Sequence, residues 1–215
     1  MTSDANSKAY WDLRFSSGDW EKRGRWQTTQ FALGQVRHFA IGRNFAGTLL
    51  DFGCALGDAL PVYRAHFPKA KLMGVDFSSR AIEACRLRYG SIGTFLEGGC
   101  ETVPDVDVIV ASNVLEHLPA DREVARSLLL KCRELYVVVP YQERSLLAEH
   151  VNVYDELYFQ GVGEYSWTVF PCRGWSAFGW DRWYRVYLKN VIRAALGREL
   201  RRRGLQIMFH FRTFR

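Results

Sequence analysis

The chain has 215 residues, 48% hydrophobic and 24% charged, proportions that suit one globular domain with a full core and exclude a disordered, collagenous or low-complexity chain. No apolar run approaches the ~18 residues of a membrane-spanning helix, and the polar start MTSDANSK lacks the apolar stretch of a signal peptide. The net charge of +6 is matched by the tail alone, where seven arginines from Arg193 onward face one acid, Glu199; this disfavours a uniformly basic nucleic-acid cradle and leaves a basic tail to explain.

Thr28 to Ile41 puts Ala32, Val36, Phe39 and Ala40 on one helical stripe, an N-terminal helix expected to lie on a sheet or over its mouth. Thr48 to Phe52 reads as a first strand, followed by a helix carrying Leu60, Tyr63 and Phe67 that Pro68 stops. Lys71 to Val75 is a second strand. Ser78 is the expected N-cap of a helix carrying Ala81, Ile82, Cys85 and Tyr89 and ending at Gly90. Thr94 to Leu96, Val106 to Ala111 and Leu135 to Val139 follow as strands, with a helix from Asp121 to Lys131 before the last of them. Strand and helix alternate, and the strands are apolar on both faces, which predicts an α/β doubly wound sheet, mostly parallel and covered on both sides. Tyr165 to Trp175 reads as a strand and turn. Asp181 caps a helix whose face carries Trp183, Val186, Tyr187 and Val191, Gly197 stops it, and Gln206 to Phe211 is a last strand. One domain in three parts results: a cap over residues 1–45, a cofactor-binding core over 46–145, and an aromatic, acceptor-side extension with the basic tail over 146–215.

Cys54, Cys85, Cys100, Cys132 and Cys172 include no C-x-x-C pair, so reduced thiols in a soluble cytoplasmic protein are expected.

The segment LLDFGCALGDA joins the first strand to the first core helix, where a doubly wound sheet offers backbone N–H groups to a ligand. Its spacing, Gly53-x-Ala55-x-Gly57 after Asp51, is not the G-x-G-x-x-G of dinucleotide sites. Such glycines can simply make a tight turn, but the second strand also ends in GVDFS, placing Asp76 where a carboxylate can accept from both ribose hydroxyls. The loop resembles the D/E-x-G-x-G-x-G loop of class I S-adenosylmethionine-dependent methyltransferases, with Ala55 replacing the middle glycine, and DVDVIVASNVLEHLP is similar to that superfamily's fourth-strand segment. The resemblance implies a seven-stranded Rossmann-like sheet with a lid helix and S-adenosyl-L-methionine as cofactor. It places the cofactor among Asp51, Gly53, Cys54, Ala55, Gly57, Asp76, Ser112 and Asn113, with Phe77 beside the adenine. The acid expected to meet the adenine amino group is open between Glu97 and Glu101.

PYQERSLLAEH and Tyr10-Trp11-Asp12-Leu13-Arg14-Phe15 resemble members associated with glycan and cell-envelope biosynthesis, which implies Arg14 as partner of the cofactor carboxylate. A hydroxyl acceptor needs a base; His150 is the first candidate, followed by His117, Tyr141 and Glu143, and a structural role for either histidine is the competing reading. Asn113-x-x-Glu116-His117 with distant His150 also resembles the metal set of small-RNA terminal 2′-O-methyltransferases. Asn113 stands there in place of a carboxylate, so no metal is expected. The expected activity is methylation of a sugar in a surface glycan or glycosylated metabolite. The alternatives are N- or O-methylation of a natural product, an RNA methyltransferase, and a non-catalytic binding or scaffold protein. The tail from Arg198 to Arg203 is read as a solvated face, a seat for a phosphorylated or lipid-linked substrate, or a membrane-surface patch, and no nucleic-acid partner is expected.

Overall fold

Short runs of β-branched and leucine residues, each followed by a helix-period segment, fold as the alternation demands. The computed structural model describes residues 6–143, 146–172, 180–198 and 204–213. Its strands are β1 (Thr48–Phe52), β2 (Lys71–Asp76), β3 (Thr94–Glu97), β4 (Val108–Ser112), β5 (Glu134–Pro140), β6 (Tyr165–Pro171) and β7 (Leu205–Arg212). They form one sheet in the order β3-β2-β1-β4-β5-β7-β6. The first five strands are parallel, while β7 runs antiparallel between β5 and β6, pairing Val138 with Met208 on one side and Thr168 with Met208 on the other. The mixed sheet carries the parallel core that the alternation predicts and adds an antiparallel pair at one edge.

Successive residues of a strand point to opposite faces, and the core divides accordingly. Leu49, Val108, Val110, Tyr136 and Val138 pack with Leu60, Tyr63 and Ile82 on one side. Leu50, Ile109, Leu135, Val137 and Val139 pack with Leu115, Leu128 and Phe209 on the other. Helices α3 (Leu60–His66) and α4 (Ser79–Tyr89) cover the first face and α5 (Asp121–Leu129) the second. Ser78 caps α4 through its hydroxyl, which accepts from Ala81 N at 3.1 Å.

The N-terminal expectation is corrected. Two helices replace the single one drawn from Thr28 to Ile41: α1 (Lys8–Ser16) and α2 (Asp19–Gln35), with a 3-10 turn over Val36–His38. Ser7 caps α1 by accepting from Tyr10 N, and Gly18, at φ 74°, breaks the chain between the two helices. Late in the chain α6 (Trp180–Ala195) starts before Asp181, so that residue lies inside the helix rather than at its cap. Of the aromatic extension, Tyr154 and Phe159 are fully buried against β7, whereas Trp167 stands 48% exposed; Trp175 lies outside the described residues.

Ala55 has φ 47°, a left-handed conformation in which a Cβ costs ~1–2 kcal/mol. Ala55→Gly removes that crowding at the cost of a more flexible unfolded chain. Urea unfolding should show the variant ~0.5–1 kcal/mol more stable, and a loss of stability would show that the methyl packs favourably.

Candidate functional site

In the strand order β2-β1-β4 the chain reverses its direction of travel across the sheet at β1, so the loops after β1 and β4 diverge and leave a crevice at the strands' C-terminal ends. There the structure has a cavity of about 450 Å³. Its floor is the loop after β1, held by Gly53 N and Cys54 N donating to Val75 O at 2.7 and 3.0 Å. Gly53 takes φ 71°, and a Cβ there would lie 2.4 Å from Val114 Cγ2. Asp76 ties the two halves together, accepting from Ala55 N and Ser78 N at 2.9 Å each.

Nine of the residues singled out from the sequence line this cavity: Asp51, Gly53, Cys54, Ala55, Asp76, Phe77, Ser112, Asn113 and His117. Gly57 does not. A Cβ on it would sit 3.0 Å from Cys85 Sγ and Tyr89 Cδ2, so this glycine lets the loop close on α4 rather than admit a ligand. Arg14 is corrected as well, because its Nη1 lies 2.5 Å from Glu149 Oε1 and 2.9 Å from Tyr10 OH, outside the cavity wall. Tyr141 donates to Glu156, and Glu143 lies beside His150; neither lines the cavity, and nor does His150. Glu97 pairs with Lys8 at 2.9 Å, whereas Glu101 stands on the wall next to Gly98 and Gly99.

The N-terminal cap read from the sequence supplies a further wall, through residues that were not individually assigned to the site. Trp11, Phe15, Trp20 and Phe31, from α1 and α2, form an aromatic roof, with Phe15 and Trp20 edge to face at 5.2 Å. Their signal was the early tryptophan cluster, hidden by the polar residues around it. Among the described residues, no aromatic from Tyr154 onward lines the cavity.

Gln35 was missed. It is fully buried, donates to Ser112 Oγ at 2.8 Å, and leaves its Oε1 without a partner at the cavity wall. Gln206 reaches in from β7 to donate to Asn113 Oδ1 at 2.9 Å, fixing the turn after β4, where Asn113 has φ 54°.

The charged groups on the wall are Asp51, Asp76 and Glu101. Burial raises Asp51 to about 8, with Asp76 adding repulsion, and raises Asp76 to about 6 against the two backbone N–H groups that favour its anion. Three acids and an orphaned amide oxygen suit a ligand carrying hydroxyl donors and positive charge. S-adenosylmethionine, with a ribose diol, an ammonium and a sulfonium, fits that donor set. Asp76 would hold the diol and Gln35 Oε1 would accept from the ammonium.

His117 sits where the aromatic roof meets the loop after β4, its ring edge to face with Trp11 at 5.2 Å. Its Nδ1 is 3.0 Å from the Glu149 carbonyl oxygen, which can only accept, so the proton is on Nδ1 and Nε2 carries a lone pair. Burial pushes this imidazole down to about 4. Behind it lie His150, whose Nδ1 is 2.6 Å from Glu143 Oε2, and Glu116, buried and raised to about 8 by burial. Glu116, His117 and His150 each offer a ligand atom, within 4.8 Å of one another, and could hold a metal ion; Asn113 Oδ1 accepts from Gln206 Nε2.

Comparison with known proteins agrees with this geometry. Residues 50–136 match the family described as a methyltransferase domain. A trans-aconitate 2-methyltransferase from Methylobacterium radiotolerans is 32% identical over 72 residues, 33% of this chain, and the match spans only 28% of that protein's length. A chain of the Haloferax volcanii complex between the Trm112 methyltransferase activator and a methyltransferase superposes with TM-score 0.70 at 13% identity, covering 94% of this chain and 97% of that one. The plantazolicin methyltransferase BpumL, solved with S-adenosylhomocysteine, gives 0.55 at 15% identity over 96% and 95%. At these identities the structural likeness is one of fold. Together the comparisons show a methyltransferase-domain match over residues 50–136 and a shared fold.

Two measurements test the site. Ionised Asp76 is the better acceptor for ribose hydroxyls, so affinity for S-adenosylhomocysteine should rise with pH through about 6; by calorimetry, Asp76→Asn should weaken binding by ~1.5–3 kcal/mol at neutral pH and flatten that rise. Dialysis against EDTA should leave turnover unchanged, whereas a loss reversed by a divalent ion would assign Glu116, His117 and His150 as ligands.

Proposed function

We propose that the chain is an S-adenosylmethionine-dependent O-methyltransferase acting on a small neutral acceptor, with a sugar of a glycan or glycosylated metabolite as the leading candidate. The observation that carries this reading is that one cavity is lined both by the acids Asp51, Asp76 and Glu101 and by the aromatic rings of Trp11, Phe15, Trp20 and Phe31, with His117 against Trp11. Indole faces stack on the C–H faces of a sugar ring and on planar rings alike.

The bound cofactor supplies an electrophilic methyl group. The chain's own residues supply position and proton handling. The aromatic roof excludes water and orients the acceptor, which is the larger part of what an in-line displacement requires. In this reading His117 Nε2 takes the hydroxyl proton while the Glu149 carbonyl fixes the ring through Nδ1–H. His150, first choice from the sequence, stands behind it with ring centroids 4.9 Å apart, and its contact with Glu143 makes it a support for the His117 side of the site.

A planar natural product is the second reading. BpumL and a coclaurine N-methyltransferase of 12% identity and TM-score 0.61 share the fold and, by their names, act on plantazolicin and on coclaurine. The aromatic roof suits these equally.

His117→Ala should lower kcat by ~100- to 10,000-fold and leave S-adenosylhomocysteine affinity within about twofold. Because neutral imidazole is the active form and the group titrates at about 4, kcat should be flat from neutral pH down to mildly acid conditions and fall only as that value is approached. A variant with nearly full turnover would leave positioning as the whole of catalysis.

A further inference from the structure

Among the described residues, none of helix α6 lines the cavity, and the helix's C-terminal half exposes apolar side chains. Leu188, Val191, Ile192 and Leu196 are 40%, 49%, 55% and 61% exposed, although a helix of an ordinary domain turns such residues to the core. In the sequence Arg182, Arg185, Lys189 and Arg193 recur at spacings of three, four and four. At helical spacing Leu188, Val191 and Ala195 fall away from Lys189 and Arg193, Ile192 lies at the border between them, and Leu196 falls beside Lys189. Gly197, at φ 62°, ends the helix, and Arg198, Arg201, Arg202 and Arg203 follow it in the chain against the single acid Glu199.

An apolar strip flanked by fixed positive charge has a matching surface of definite chemistry. A bilayer rich in anionic phospholipid offers acyl chains just beneath a layer of phosphate, so Leu, Val and Ile enter the boundary while Lys and Arg meet the headgroups. A second copy of this chain matches it poorly, because pairing two such helices would bring two sets of like charges together. Among the described residues no helix is long and apolar enough to cross a membrane, so contact here would be lateral. We infer that α6 is an interfacial helix by which the protein docks on an anionic phospholipid surface. This inference stands independently of the acceptor and of methyl transfer itself.

The test is co-sedimentation of the full chain with vesicles of phosphatidylcholine containing about a quarter phosphatidylglycerol. The wild type should pellet with these vesicles, not with pure phosphatidylcholine, and molar salt should release it. Val191→Glu with Ile192→Glu should lower partitioning at least about tenfold. Lys189→Glu with Arg198→Glu, which leaves the apolar strip intact, should lower it as well and weaken its salt dependence. Circular dichroism and S-adenosylhomocysteine binding check that both variants remain folded. No binding to anionic vesicles, equal binding to neutral ones, or wild-type binding by the folded Val191→Glu, Ile192→Glu variant would overturn the inference. A wild-type dimer that this variant converts to monomer, without vesicle binding, would overturn it in favour of contact between copies.

Discussion

Asp76 is held at the end of β2 with one backbone N–H on each carboxylate oxygen, from Ala55 across the crevice and from Ser78 at the start of α4. Hydrogen bonds to an ionised acceptor are worth ~1.5–3 kcal/mol each, and these two join the loop after β1 to the loop after β2. Much of the site follows from that tie. It sets Ala55 in its left-handed conformation and places the carboxylate 5% exposed on a wall shared with Asp51. Burial in this poorly solvated crevice keeps both acids above the usual carboxylate range, with Asp76 adding repulsion at Asp51.

The second organising element is Glu149. Its carboxylate takes Tyr10 OH and Arg14, and its backbone carbonyl takes His117, so one residue joins α1 to the imidazole on the cavity wall. Arg14 is therefore committed to holding the roof in place. An arginine in a Y-W-D-x-R-F run reads identically whether its partner is a ligand or a side chain far along the chain, since spacing reports only local geometry.

This distinction describes what was legible. The parallel core and the Ser78 cap of α4 rest on periodicity and capping chemistry within a dozen residues, and the structure has them at the expected places. Part of the cavity lining was legible for the same reason, because Asp51, Gly53, Asp76 and Asn113 all sit at strand ends that the pattern marks. Gly57, at φ 78°, lies off the cavity wall, where a Cβ would meet Cys85 and Tyr89 of α4, a contact that local spacing does not report. Gln35 and Gln206 escaped notice altogether; two glutamines 171 positions apart meet at the turn after β4 through tertiary packing alone. Trp11 and Trp20 were visible as residues, but their helices were not, as Ser7 and Gly18 define α1 and α2 by conformation more than by an apolar stripe.

The position of β7 has a consequence for biogenesis. This strand is interior to the sheet, yet it follows every other strand in the chain, and it covers an edge of β5 whose Val137, Val138 and Val139 are fully buried once paired. On the ribosome, at ~5–20 residues per second, several seconds separate the emergence of Pro140 from that of Leu205. Through that interval the nascent sheet carries a bare, strongly apolar edge with nothing of its own to pair with, the configuration most prone to joining a neighbouring chain. Holding that edge apart is work for a chaperone, and a nonsense mutation before Leu205 would leave it bare for good.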